Sequence, residues 1–254
     1  MIKFSPANVK IKALAAVAAV AAFLTGKRRV YSFDLLSGWS CPFAKLCRSK
    51  IKLIAGRRKV VDGPHTQFRC FSASQEATYT NVYKLREANY NFMKSLKSAP
   101  EMFCVLMGAL PKNAGVVRIH VAGDFFNQMY FDAWLAVASA NRNVLFYAYT
   151  KSLPYWLTRR HIIPENLILT ASYGGEHDDM IAEYGFRSAK VVFSEQEAAN
   201  LGLEIDHDDS HAANPDIRNQ DFALLIHGIQ PAGSEAAAAI RELKADGVQF
   251  AYSR

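Results

Sequence analysis

Short apolar runs alternate with helical stretches along most of the chain, and this alternation limits the possible folds more than any other feature. Residues 30–35, 116–121, 144–149, 167–171, 190–193, 222–227 and 248–252 read as strands. Between them, helical spacing appears at 77–97, 128–138, 154–160, 178–184, 194–201 and 234–244, with Asn127 and Ser194 as N-cap residues. The pattern Ser194-Glu-Gln-Glu197 is a capping box. Strands that are continuous apolar runs are buried on both faces, as in a parallel sheet covered by helices. The expected architecture is therefore α/β, a partial or closed parallel β/α barrel of the TIM type, with an open doubly wound sheet as the second choice. No Gly-x-Gly-x-x-Gly follows the early strands, which removes the dinucleotide-binding argument for the open sheet.

No linker rich in Pro, Gly or Ser divides the 254 residues, half of which are hydrophobic. The expected organisation is an Ala-rich helical extension over 1–29 and one domain over 30–254, with a cysteine-bearing insertion at about 36–76. Residues 13–24 are almost wholly Ala, Val, Leu and Phe, too short a run to span a bilayer as a helix. Ser5-Pro6 suits a helix start, while Gly26 and the cations Lys27, Arg28 and Arg29 suit a helix end. The expectation is a packed helix in a cytoplasmic protein that does not engage a membrane.

Cys41, Cys47 and Cys70 surround one irregular stretch directly after the first strand. Thiolates gathered on a loop suit zinc or an iron-sulfur cluster, and three of them leave one position open. Structural or redox thiols and a disulfide are the other readings, because the spacing matches neither a zinc finger nor a ferredoxin. Cys104, within Met-Phe-Cys-Val-Leu-Met, reads as core packing on a helix.

Reactive groups of a β/α fold gather at the C-terminal ends of its strands. Those ends carry Gly123 and Asp124, then Thr150, Lys151 and Ser152, then Ser172 through Asp178, then Ser194 and Glu195, then His227 with Gln230. Asp124 and Lys151 are the candidates for catalysis, and Gly123, Asp124 and Ser172 for holding a cofactor. Asp124 as a helix cap is the structural alternative. His207 and His211, four apart with aspartates between them, would face one metal if helical, which adds a metal-dependent hydrolase to the readings. The signatures of the common serine hydrolases, P-loop proteins and zinc proteases are missing.

Thirty Lys and Arg against 23 Asp and Glu give a net charge of +7, concentrated at 27–29, 48–52 and 57–59. A basic face beside the cysteine loop suits an acidic partner or nucleic acid.

Three segments carry a resemblance: Tyr31 to Ala44 (Tyr-Ser-Phe-Asp-Leu-Leu-Ser-Gly-Trp-Ser-Cys-Pro-Phe-Ala), Arg118 to Phe125 (Arg-Ile-His-Val-Ala-Gly-Asp-Phe) and Phe146 to Leu153 (Phe-Tyr-Ala-Tyr-Thr-Lys-Ser-Leu). From Tyr31 to the C-terminus the chain resembles the phage "gene product 88" family, which implies a place in the cytoplasm of an infected host cell and no particular reaction. More loosely, it resembles radical S-adenosylmethionine enzymes, partial β/α barrels with a three-cysteine loop after the first strand. That resemblance implies a [4Fe-4S] cluster on Cys41, Cys47 and Cys70, with S-adenosylmethionine as cofactor. The spacing departs from it, being five residues and then 22, wider than in that superfamily, and Gly174-Gly175-Glu176 follows the fourth strand instead of the second. The contrasting reading is a nucleic-acid-binding or regulatory phage module stabilised by zinc or a cluster.

Overall fold

The computed structural model describes residues 2–7 and 12–248. Its main sheet has eight strands in the order β1-β2-β5-β6-β7-β8-β10-β9. These are β1 (Ser5–Pro6), β2 (Arg29–Phe33), β5 (Ala114–Ile119), β6 (Leu145–Thr150), β7 (Leu167–Ser172), β8 (Ser188–Val192), β9 (Glu204–Ile205) and β10 (Phe222–Leu225). Every neighbouring pair is parallel except β1 with β2. Six strands, β2, β5, β6, β7, β8 and β10, lie side by side in the order in which the chain makes them.

Such an order results when successive right-handed crossovers advance in one direction and leave their helices on one face. The residues agree. Phe33, Val117, Ile119, Phe146, Ala148, Leu167 and Leu169 share one core with α4 (Ala99–Ala109) and α5 (Gln128–Ala140). Farther along the same face, Ala171 packs with Leu153 of α6 (Leu153–Leu157) and Ile181 of α7 (Asp179–Tyr184). Ala223 and Leu225 pack with Ala198 of α8 (Glu195–Asn200) and Ala236 of α10 (Glu235–Ala245). The opposite, inner face is Val30, Val116, Leu145, Tyr147, Ile168, Ala189 and Phe222, covered by Leu14, Val20, Ala212 and Ala213. Among the described residues these six strands never reverse direction, as they would in a doubly wound sheet; only the two-residue β9 lies out of sequence, at the edge beyond β10. The sheet ends on two-residue strands, and among the described residues no pairing joins one edge to the other. Of the expected last strand, residues 249–252 lie outside the described residues.

The N-terminal segment differs from expectation. Ser5 and Pro6 pair with Ser32 and Tyr31 as an edge strand, a position where proline's missing N–H costs nothing. Residues 13–24 form no continuous helix but a 3₁₀ turn, Ala13–Ala16, and a single α turn, α1 (Ala18–Ala21), broken by extended backbone at Val17. Leu14 and Val20 are six positions apart and would point about 120° away from each other on an unbroken helix. The break lets both bury against the sheet.

Between β2 and β5 the chain adds elements that the alternation did not reveal. An antiparallel hairpin, β3 (Ser49–Ile54) with β4 (Arg57–Asp62), turns at Ala55 and Gly56, both at positive φ. Then come α2 (Phe71–Thr78) and α3 (Thr80–Ser95), split at Tyr79 where one long helix was expected. No helix among the described residues is long and apolar enough to cross a membrane.

Candidate active site at the strand ends

The lower part of the inner face is apolar, but toward the C-terminal ends of the strands its residues become Arg118, Tyr149 and Asp209, and here a cavity of about 190 Å³ opens. Cys41, Cys47, Cys70, Gly123, Asp124, Lys151 and Ser172 all line it. The structure thus brings Cys41, Cys47 and Cys70 and the catalytic and cofactor candidates to one cavity.

Three sets of contacts hold the cysteine segments. Phe43 O accepts from Glu176 N (2.9 Å), and Gly174 O accepts from Lys45 N (3.0 Å) and Leu46 N (2.9 Å). The Gly174-Gly175-Glu176 segment therefore acts through its backbone as a splint for the Cys41–Cys47 loop, itself closed by Asp178, which accepts from the amides of Gly174 and Gly175 at 2.8 Å each. Beneath the loop, Gly123 sits at φ +94°, where a Cβ would lie 2.5 Å from Ser40 Oγ, so only glycine fits. On the third side, Glu76 of α2 is fully enclosed. Its Oε1 accepts from Ser37 N (3.0 Å), Ser37 Oγ (2.8 Å) and Arg86 (3.2 Å), joining the helix that Cys70 caps to the segment leading into Cys41.

The three cysteines are half-buried and form no disulfide. Burial pushes the Cys41 thiol well above its usual range, with Asp124, Cys70 and Cys47 adding to the rise. Burial likewise lifts Cys70 to about 11, with a contribution from Cys47, while the amides of Ala73 and Ser72 draw it partway back. Both shifts therefore include repulsion from a neighbouring sulfur. Among the described residues, no three His, Cys, Asp or Glu side chains converge as ligands of a single ion would.

Asp124 is no helix cap; Asn127 takes that role, accepting from Tyr130 N at 2.8 Å. Asp124 instead joins strand ends, accepting from Thr150 Oγ1 (2.6 Å), Lys151 N (2.8 Å) and Phe125 N (2.7 Å). Burial raises its carboxyl above the ordinary range despite these three bonds. Lys151 Nζ donates to Ser172 Oγ at 2.6 Å, linking β6 to β7 across the cavity. Deeper, Arg118 pairs with Asp209, whose Oδ2 also accepts from Tyr147 OH at 3.0 Å. Arg118 lies 5.2 Å from the Tyr149 ring centroid and donates to His120 O. His120 itself sits at φ +69°, its ring packed on Phe125 and Tyr130, and burial followed by the charge of Arg118 lowers its pKa to about 3.

Two expectations need correction. Cys104 lies on α4 but is exposed, because Met102 and Leu106, four apart, define the buried face and Cys104 falls between them on the far side. His207 and His211 do not share a helix face, since the only helix there is α9 (Ser210–Ala213). His211 bonds to Glu204 Oε2 at 3.0 Å and packs on Phe222. Sequence reasoning missed Arg118 and placed Asp209 only among the aspartates of the His207–His211 cluster, although a charged residue inside the run Val-Val-Arg-Ile was a signal that something inside the fold answers it.

Fold and site together define a sequentially wound, mostly parallel α/β protein with a three-thiol cavity at its strand C-termini. Residues 6–245 match the Gene product 88 family, and the chain belongs to it. No curated protein and no solved structure matches the chain.

Proposed function

We propose that the protein is a redox or radical enzyme whose Cys41, Cys47 and Cys70 hold a [4Fe-4S] cluster at the rim of a partial β/α barrel, with S-adenosylmethionine as the cofactor class for the rest of the cavity. The carrying observation is that three thiols from two segments of chain, the Cys41–Cys47 loop and the start of α2, line one cavity together with Asp124, Lys151 and Ser172. Cys41 and Cys70, whose pKa values are raised first by burial and further by neighbouring sulfur, with a buried carboxylate beside them, favour a strongly cationic guest. A single zinc ion draws its sulfurs to one point at about 2.3 Å. A [4Fe-4S] cube would instead take each of the three sulfurs to a different iron. Such a cluster supplies an electron-transfer centre with one coordination position open to a ligand.

The chain's own residues would then divide the work. Asp124, fixed by three donors, presents a buried acceptor. Lys151, oriented through Ser172, presents a cation to an anionic group, and the apolar floor of the inner face excludes water. The cytoplasm of a phage-infected cell keeps such thiols reduced and available to metal.

The test is iron, zinc and sulfide analysis with a visible spectrum on protein purified without oxygen. About four irons and four sulfides per chain are expected, lost when Cys41, Cys47 or Cys70 is replaced singly by alanine and retained in Cys104→Ala. Stoichiometric zinc, or a colourless protein after anaerobic reconstitution, would overturn the cluster.

A further inference from the structure

The hairpin β3–β4 stands beside the cysteine loop. Its register places Lys50, Lys52 and Ile54 on one face with Val61, Lys59 and Arg57, and Ser49, Ile51 and Leu53 on the other with Asp62, Val60 and Arg58. On the second face Ile51 is buried, and Arg58 donates to Thr80 Oγ1 at 2.7 Å and lies over the Tyr83 ring. That face is explained by packing on α3. The first face is not: it carries four cations, and Asp62, the one acid of the hairpin, is on the other face, committed to Arg69 at 2.6 Å.

Lys52 sits directly opposite Lys59. Like charges in directly paired positions destabilise a two-stranded ribbon, so the fold gains nothing from this arrangement. Beside it is Trp39, 44% exposed although its indole N–H donates to Ile51 O at 3.0 Å. Lys50 Nζ lies 4.4 Å from the Trp39 ring centroid. A pinned, solvent-facing indole next to a row of cations offers a stacking surface and phosphate contacts together, the combination that binds a single strand without sequence preference.

We infer that this face of the hairpin is a single-stranded nucleic-acid binding surface, with Lys50, Lys52, Arg57 and Lys59 contacting phosphates and Trp39 stacking on a base. The inference is independent of what the thiols hold. A polyanion relieves the Lys52–Lys59 repulsion, which gives the pair a role that its energetics in the free protein lack.

The experiment is fluorescence anisotropy of a short labelled single-stranded oligonucleotide with the full chain, titrated over a range of salt. Four phosphate contacts predict a log–log salt slope near −2.8, or roughly fifty-fold weaker binding at about 200 mM than at 50 mM salt. Lys52→Gln/Lys59→Gln should halve that slope to about −1.4 and weaken binding roughly tenfold. The same variant should melt at or above the parent's temperature and keep its metal content, a pair of results that loss of fold could not produce. Trp39→Ala should weaken binding about tenfold, with Trp39→Phe recovering most of it. Unchanged affinity in the double lysine variant overturns the inference. So does tighter binding to duplex, or binding to phosphatidylserine vesicles without binding to the oligonucleotide.

Discussion

Glu76→Ala removes one partner of an ion pair that water does not reach: the Glu76 side chain is 0% exposed and that of Arg86 4%. The guanidinium keeps hydrogen bonds to Ser72 O (3.2 Å) and Gln75 Oε1 (3.2 Å) but loses its only paired carboxylate among the described residues. Ser37 N and Oγ lose their acceptor in the same step. An uncompensated buried charge costs about 3–5 kcal/mol, a large part of the roughly 5–15 kcal/mol that holds a domain together. The pair as a whole is worth less than this. Burial raises the Glu76 pKa even against Arg86, and its Oε2 has no partner among the described residues, both marks of incomplete compensation. Replacing both charges, as in Glu76→Leu/Arg86→Met, should therefore recover about 2 kcal/mol of the single variant's loss. Urea denaturation of wild type, Glu76→Leu, Arg86→Met and the double variant forms the cycle, with Glu76→Ala measured beside it. Metal uptake read alongside should fall in Glu76→Ala, because Ser37 and Cys70 are no longer joined. A single-variant cost below about 1 kcal/mol, or a double variant no better than Glu76→Ala, would refute the argument that this pair locks the cysteine segments.

Gly123→Ala should cost about 2–3 kcal/mol from its left-handed φ and the clash with Ser40 Oγ, and thermal melting would show it; a neutral result would mean that the Ser40 turn is free to move. His120, neutral in the fold, must take up a proton on unfolding between about pH 6.5 and 3. Its contribution is therefore complete above pH 6.5 and lost as pH falls toward 3, and His120→Gln should flatten acid denaturation over that window. The metal-free thiol of Cys70 has the opposite sign: its contribution is present below about pH 9 and lost as pH rises toward about 11, so alkaline melting of the apoprotein should be less steep in Cys70→Ala. Asp124→Asn should slacken the joint between β5 and β6 and lower metal or cofactor retention, measured by iron content after gel filtration; unchanged retention would leave Asp124 as a strand clamp alone.

The six parallel strands were legible because burial on both faces makes each a short apolar run set between stretches of helical spacing. The hairpin was hidden because one of its faces is charged, so Lys-Ile-Lys and Arg-Arg-Lys read as surface. The turn at Ala55-Gly56 was the available clue. Residues 13–24 misled because alanine favours a helix wherever it occurs, whereas the path of this segment is set by where Leu14 and Val20 must go. Site residues at strand ends could be read from position alone. Glu76 and Arg86 could not, since they lie on helices outside the strands and pair across the break between α2 and α3, and the pairing of Asp209 with Arg118 is set by a partner 91 residues away.

The wide cysteine spacing was the strongest argument from sequence against a single three-thiol site, and the hairpin changes its weight. Ser49 pairs with Asp62, so the ribbon leaves and returns at nearly the same place. Gly63 N donates to Arg48 O (2.7 Å), Gln67 N to Leu46 O (2.8 Å) and Cys70 N to Ser49 Oγ (3.4 Å), which folds the 48–69 stretch shut behind Cys47. For the geometry of the site the intervening residues are an excursion, and the effective separation of Cys47 and Cys70 is that of a short loop. Gln230 secures the far end by bonding both the N–H (2.7 Å) and the C=O (3.0 Å) of Arg69. An excursion closed so tightly at its base can carry a basic surface without disturbing the thiols it separates. That is why substitutions at Lys52 and Lys59 should leave metal content alone, while Glu76, at the base of the same assembly, should not.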